Sequence, residues 1–158
     1  MVVKETPLKG MNMGNAATVA IRELPGLSAI DIRVAPGSAA HAAVAETLAI
    51  DLPSKPGKIG IEPNEVYALC LAPDWWLVVE LPEAVQKLEG LRNDHHFSVV
   101  DVSGQRTTIE LEGPNVREVL AHLWEQDLRE KNFPVASVSQ GLMAKAPVIV
   151  CHIAPNRY

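Results

Sequence analysis

The sequence predicts an α+β fold, a βαββαβ unit followed by a second, incomplete βαββ unit. Two observations carry that expectation. Short segments with a two-residue apolar repeat, the strand period, alternate with stretches whose apolar residues fall at helical spacing. The order of strand, turn, helix and strand pair then begins again roughly 75 residues further on.

Residues 1–15, with Gly10, Gly14 and Asn15, read as an extended leader, and residues 16–158 as a single domain with pseudo-halves 16–104 and 105–158. The first strong strand signal is Leu27 to Val34, where Ile30, Ile32 and Val34 alternate with Asp31 and Arg33. Pro36-Gly37-Ser38 turns the chain, and Ser38 is placed to cap an alanine-rich helix running to about Leu48. Residues 53–64 hold Pro53, Pro56, Pro63, Gly57 and Gly60 and read as a loop. Val66–Leu71 and Trp75–Leu81 follow as strands split by Ala72-Pro73-Asp74, a spacer of hairpin length and turn composition. Pro82 suits the first turn of a helix over Glu83–Leu91, with Val85 and Leu88 on one face. Phe97–Val102 closes the unit as a strand, which makes the order ferredoxin-like.

The second unit opens with Thr107–Leu111 as a strand. Gly113-Pro114-Asn115 turns into a helix from Val116 to about Trp124, and Val135–Met143 and Val148–Ile153 form a strand pair. A closing helix and strand are missing from this second unit, so its apolar surface needs cover from elsewhere.

Composition narrows the function classes. The apolar fraction is 47% and the charged fraction 21%, ordinary for a globular chain that builds its core without a metal or disulfide staple. The net charge of −5, with Lys and Arg scattered, argues against nucleic acid and against an anionic membrane surface. Cys70 and Cys151 both sit in apolar runs and read as buried free thiols, which suits a reducing, cytoplasmic location. Met1 to Asn15 has no apolar stretch of the secretory kind, and no run is long enough to span a bilayer.

Chemistry-bearing constellations are weak throughout. His95-His96 is the one histidine cluster, and neighbours on an extended chain face opposite ways, so the pair reads as a polar loop and not a metal site. Asp101, Ser103 and His122 supply triad residue types, but Ser103 lies in a turn without a GxSxG elbow. Phosphate-cradling glycine loops are absent from the sequence, and neither cysteine has a cationic neighbour in sequence. No catalytic, cofactor-binding or metal-ligating residue is therefore assigned.

Trp75-Trp76 is the most unusual local feature. On a strand one ring faces the core and the other faces out, where it is covered by a helix or meets another protein. Trp75 and Trp76 are the interface candidates, with Arg106 beside them as a residue between a turn and a strand.

Several segments together resemble the gamma subunit of bacterial heterotetrameric sarcosine oxidase, a distant relative of folate-binding aminomethyltransferases. They are Thr6-Pro-Leu-Lys-Gly10, Ala72-Pro-Asp-Trp-Trp-Leu-Val78, Val100-Asp-Val-Ser-Gly-Gln-Arg-Thr107, Leu111-Glu-Gly-Pro-Asn115, Arg117-Glu-Val-Leu120, Asp127-Leu128, Phe133-Pro-Val135, Ser139-Gln140-Gly-Leu142 and Ala146-Pro-Val148. Their order and spacing, from about residue 6 to 153, carry the likeness.

The resemblance implies a fold similar to the N-terminal part of aminomethyltransferases. It also implies an accessory, noncatalytic role in oxidative demethylation of sarcosine to glycine, with the one-carbon unit passing to tetrahydrofolate. It places FAD, FMN, NAD and tetrahydrofolate on other subunits, none on this chain, and makes the large alpha subunit the packing partner. Family members usually continue through another helix where this chain reaches Ala154-Pro-Asn-Arg-Tyr158, which points to a shortened relative or to a divergent one with a different partner. Two other functions stay open at this stage. One is a stand-alone folate or small-molecule module, with Asp101 or Glu110 as an acidic anchor. The other is a homodimer in which a second copy completes the unfinished half.

Overall fold

The computed structural model describes residues 5–158, a mixed α/β arrangement with more strand than helix. An inner strand of its main sheet is β3, Ala29–Val34, whose alternation sends Ile30, Ile32 and Val34 inward. Antiparallel neighbours flank it: β6, Trp75–Val79, on one side and β7, Phe97–Asp101, on the other. β5, Val66–Ala72, pairs with β6 through the Pro73-Asp74 turn, with a register shift between Cys70 and Ala72.

A fifth strand, β4, Ile59–Glu62, adds to the far edge, giving the order β4-β5-β6-β3-β7. Residues 53–64 are thus a loop only in part. Ile59 and Ile61 carry a strand alternation too short to stand out among prolines and glycines. Gly60 is required there, since a Cβ would lie 2.5 Å from the Asp51 carbonyl oxygen.

Helices cover one face of this sheet. α1, Ala39–Leu48, starts at Ser38, whose hydroxyl accepts the His41 N–H at 3.1 Å, and ends on Ala49 in the left-handed region. α1 buries Val44 and Leu48, and α2, Ala84–Leu88, buries Ala84 and Leu88; both pack on Ile32, Trp76 and Val78. α2 is shorter than the helix read over residues 83–91, and a tighter 3-10 turn, Glu89–Asn93, continues it.

The opposite face, with Ala29, Ile59, Leu69 and Leu77, is covered by Val138, Ile149 and Cys151 of a hairpin. That hairpin is β9, Ser137–Met143, with β10, Ala146–His152. β9 and β10 form a two-stranded sheet, and the remaining later strand joins the early ones instead. The strand β8, Thr108–Glu112, pairs with β2, Ala20–Leu24, which in turn pairs with β1, Asn12–Gly14. α3, Val116–Ala121, stops short of Trp124.

The early residues are therefore tied to the body of the chain. Glu23 accepts from the Thr6 hydroxyl at 2.7 Å, the Gly10 N–H at 2.7 Å and the Leu8 N–H at 3.3 Å. Burial pushes its carboxyl up, but these three donors outweigh burial and hold it below the ordinary value. At the other end Tyr158 exchanges two backbone hydrogen bonds with Leu111, both 2.9 Å, and its ring stacks on His152 with centroids 4.3 Å apart.

Candidate interaction site

The two tryptophans divide as strand geometry requires. Trp76 is fully buried beneath α1, and its indole N–H donates to the Pro53 carbonyl at 2.9 Å. Trp75 faces the other way and is half-buried. Its N–H donates to Asp31 at 2.8 Å, and the Arg33 guanidinium lies 4.4 Å from its ring centroid. Arg33 is held in turn 3.8 Å from Asp31 and 3.8 Å from Asp74. Register explains the set, because Arg33 is the cross-strand partner of Trp75. The result is an indole held by a hydrogen bond at its N–H and a cation over its ring. Val100, 50% exposed, lies on the same face, since it pairs with Asp31 across the sheet.

Arg106 is elsewhere. It is exposed after the Ser103–Gln105 turn and borders a cleft of about 40 Å³ with Thr6, Pro25 and Thr108. The structure does not bring it to the tryptophans.

The triad types do not converge. The Ser103 hydroxyl is 2.6 Å from Asp101 Oδ1 and accepts the Ala29 N–H at 3.0 Å, so it holds the turn to β3. His122 contacts the Glu118 carbonyl of its own helix turn at 2.7 Å. His95 and His96 sit in the loop before β7, and among the described residues no three His, Cys, Asp or Glu side chains are placed to hold a metal ion.

Glu110, named above as an acidic anchor for a pterin, is already engaged. Its side chain is 1% exposed, Arg157 Nε donates to it at 2.5 Å, and Arg22 pairs with it from β2. Arg157 also donates to Glu65 at 2.7 Å, and Arg22 to Glu112 at 3.2 Å. Glu65 is held below the usual carboxylate range by Arg157.

The thiols are structural. Burial pushes the Cys151 thiol up to about 12, and burial also raises Cys70. In the native chain both are expected to resist iodoacetamide at pH 8, and both to react in denaturant, as counted by intact mass. Rapid native labelling of either would contradict the burial argument.

A second concavity, of about 280 Å³, runs between β9 and the segment after α3, with Trp124, Glu125, Gln140 and Leu142 in its walls. Its two sides come from segments joined only by packing. No helix among the described residues is long and apolar enough to cross a membrane.

The fold is that of an aminomethyltransferase-like chain. It superposes on the glycine cleavage system aminomethyltransferase T from Bartonella henselae with a TM-score of 0.50 at 14% identity, covering 77% of this chain and 44% of the other. A closer likeness, TM-score 0.83 at 27% identity, is to a chain of the heterotetrameric sarcosine oxidase from Corynebacterium sp. U-96, covering 92% of this chain and 76% of that one.

The chain belongs to the sarcosine oxidase gamma subunit family, whose model matches residues 33–158. It is similar to sarcosine oxidase subunit gamma of Corynebacterium sp. strain U-96 (28% identity, 90% of this chain, 71% of that one). The likeness to the gamma subunit of Corynebacterium sp. strain P-1 is of the same order (31% identity, 85% of this chain, 68% of that one).

Proposed function

We propose that this chain is a noncatalytic subunit of a cytoplasmic sarcosine oxidase complex that packs against the large alpha subunit. The flavins, NAD and tetrahydrofolate are then carried by other subunits. The carrying observation is the family match across residues 33–158. The site geometry supports it: Ser103, Asp101, His122 and Glu110 each serve local structure, whereas Trp75 is oriented outward on a fixed platform. We read the order of β5, β6, β3 and β7 as ferredoxin-like with β4 as an added edge, within one domain of two pseudo-halves, 16–104 and 105–158.

On this reading Trp75 contributes to the contact with the large subunit. Trp75→Ala should weaken assembly by on the order of 2 kcal/mol, since buried interface tryptophans dominate binding energy. Titration of the variant against the remaining subunits, with sarcosine-dependent peroxide release as the functional check, tests it. Full affinity in the variant would remove Trp75 from the interface. Failure of the unaltered chain to assemble would remove the proposal itself.

A further inference from the structure

The concavity beside Trp124 has features that a folded chain ordinarily hides. Its floor is a close approach: a Cβ at Gly141 would stand 2.7 Å from the Trp124 ring, so the indole rests on bare backbone. The Trp124 N–H is buried and has no acceptor among the described residues. Leu142 on the rim is 64% exposed, and Leu123, adjacent in sequence to Trp124, is 49% exposed. Apolar side chains this open, beside an orphaned buried donor, mark surface that an assembly completes.

Strand pairing points to the form of the occupant. The lower part of β9 is paired on its outer side, with Ser137 opposite Lys58 and the Val138 N–H donating to the Gly57 carbonyl at 3.0 Å. From Ser139 to Met143, β9 has β10 on one side and no strand paired by backbone hydrogen bonds on the other among the described residues, with the Gln140 side chain reaching the Leu71 carbonyl of β5 at 3.2 Å. The concavity is lined by β9 and by no residue of β10, so it follows this open edge. An extended segment adding there would meet unpaired backbone groups together with a slot of mixed lining, whose apolar walls are Trp124 and Leu142.

Size and charge narrow it further. About 280 Å³ has room for one or two side chains and lies at the small end of the roughly 300–1,000 Å³ typical of small-molecule sites. Glu125 at the mouth is exposed and makes no hydrogen bond or ion pair among the described residues, in a chain of net charge −5. A like-charged second copy is thereby disfavoured, and a cationic neighbour to the apolar anchor is favoured.

We infer that the open edge of β9, Ser139–Met143, together with the Trp124–Leu142 slot, receives an extended segment of a large partner subunit. That segment carries a bulky apolar residue flanked by Lys or Arg. The inference rests on the subunit reading above and specifies a surface for it, separate from Trp75.

The test uses the full complex, co-expressed and purified, with the full-length chain unaltered or carrying Leu142→Asp or Glu125→Lys. Both positions are exposed, so melting of the isolated chain should be unchanged. Affinity for the remaining subunits should fall by about tenfold or more for Leu142→Asp, and Glu125→Lys should bind more weakly with a shallower salt dependence. Amide exchange at Ser139–Met143 should slow on assembly. Assembly of the unaltered chain with unchanged Leu142→Asp affinity and unprotected Ser139–Met143 amides would overturn the surface and leave the subunit reading intact. No assembly of the unaltered chain would defeat both. Concentration-dependent dimerisation of the isolated chain, abolished by Leu142→Asp, would assign the edge to a second copy and overturn the choice of occupant.

Discussion

Glu110→Ala is expected to lower the unfolding free energy by about 3 kcal/mol, the low end of what removing one partner of a buried ion pair costs. The carboxylate sits in the protein interior between Arg22 and Arg157 and is the element that lets two guanidinium groups share one site. Without it, the two guanidinium groups lose their shared inner partner and keep only Glu112 and Glu65 at the surface. The low end applies because Arg22 and Arg157 keep 46% and 26% of their side-chain exposure, so both retain some access to water.

In a chain of this length 3 kcal/mol corresponds to a melting shift of about 6–12 °C. Urea titration should show the same loss with little change in slope. A loss below about 1 kcal/mol would mean that packing, not this network, holds Arg157 and the residues that follow Ile153.

The same network gives the stability an acid limb. Arg157 depresses the Glu65 carboxyl in the folded chain, so that group's contribution is complete above its ordinary value of about 4.3. It is lost as pH falls through the lower native value. The urea midpoint of the native chain should therefore decline on acidification below about pH 4.3, and the Glu65 share of that decline should vanish in Glu65→Gln.

Trp76→Ala should cost still more, about 4 kcal/mol, in line with other large-to-small changes at fully buried aromatic sites. The ring is enclosed by α1, the sheet and the His41 ring 5.1 Å away, and its N–H satisfies the Pro53 carbonyl at 2.9 Å. Trp76→Phe separates the two contributions. It keeps much of the volume and orphans the carbonyl, so about 1–2 kcal/mol of loss is expected from it. Total stabilities of folded chains are only about 5–15 kcal/mol, so the alanine variant should sit close to unfolding at room temperature. A phenylalanine variant as damaged as the alanine one would assign the effect to the hydrogen bond and not to packing. Trp75→Ala provides the contrast, since its half-exposed ring should affect assembly far more than folding.

What was legible in the sequence is the part whose cause is local. The two-residue alternation of Ile30, Ile32 and Val34 is a property of β3 alone, and Ser38 caps α1 through an amide three residues away. The Pro73-Asp74 turn joins β5 to β6 without reference to the rest of the chain. Strand geometry likewise dictates that Trp75 and Trp76 part company.

Which of the two faces out was settled by tertiary structure, because only the packing of α1 and α2 decides which side of the sheet is buried. The partners that fix the outward ring, Asp31 and Arg33, come from a neighbouring strand. Glu23 gathers Thr6, Leu8 and Gly10, and Glu110 gathers Arg22 and Arg157 from positions 88 and 47 residues away. β1 and β4 are too short to announce themselves and exist as strands because a longer partner pairs with them, and β2 is hidden in the sequence by Arg22 and Glu23, whose partners come from distant segments. The Trp124 slot belongs wholly to this second kind of information. A strand or a cap is encoded by residues within a few positions of one another, whereas an ion-pair cluster or a groove is made by whichever distant segments the hydrophobic cores bring side by side.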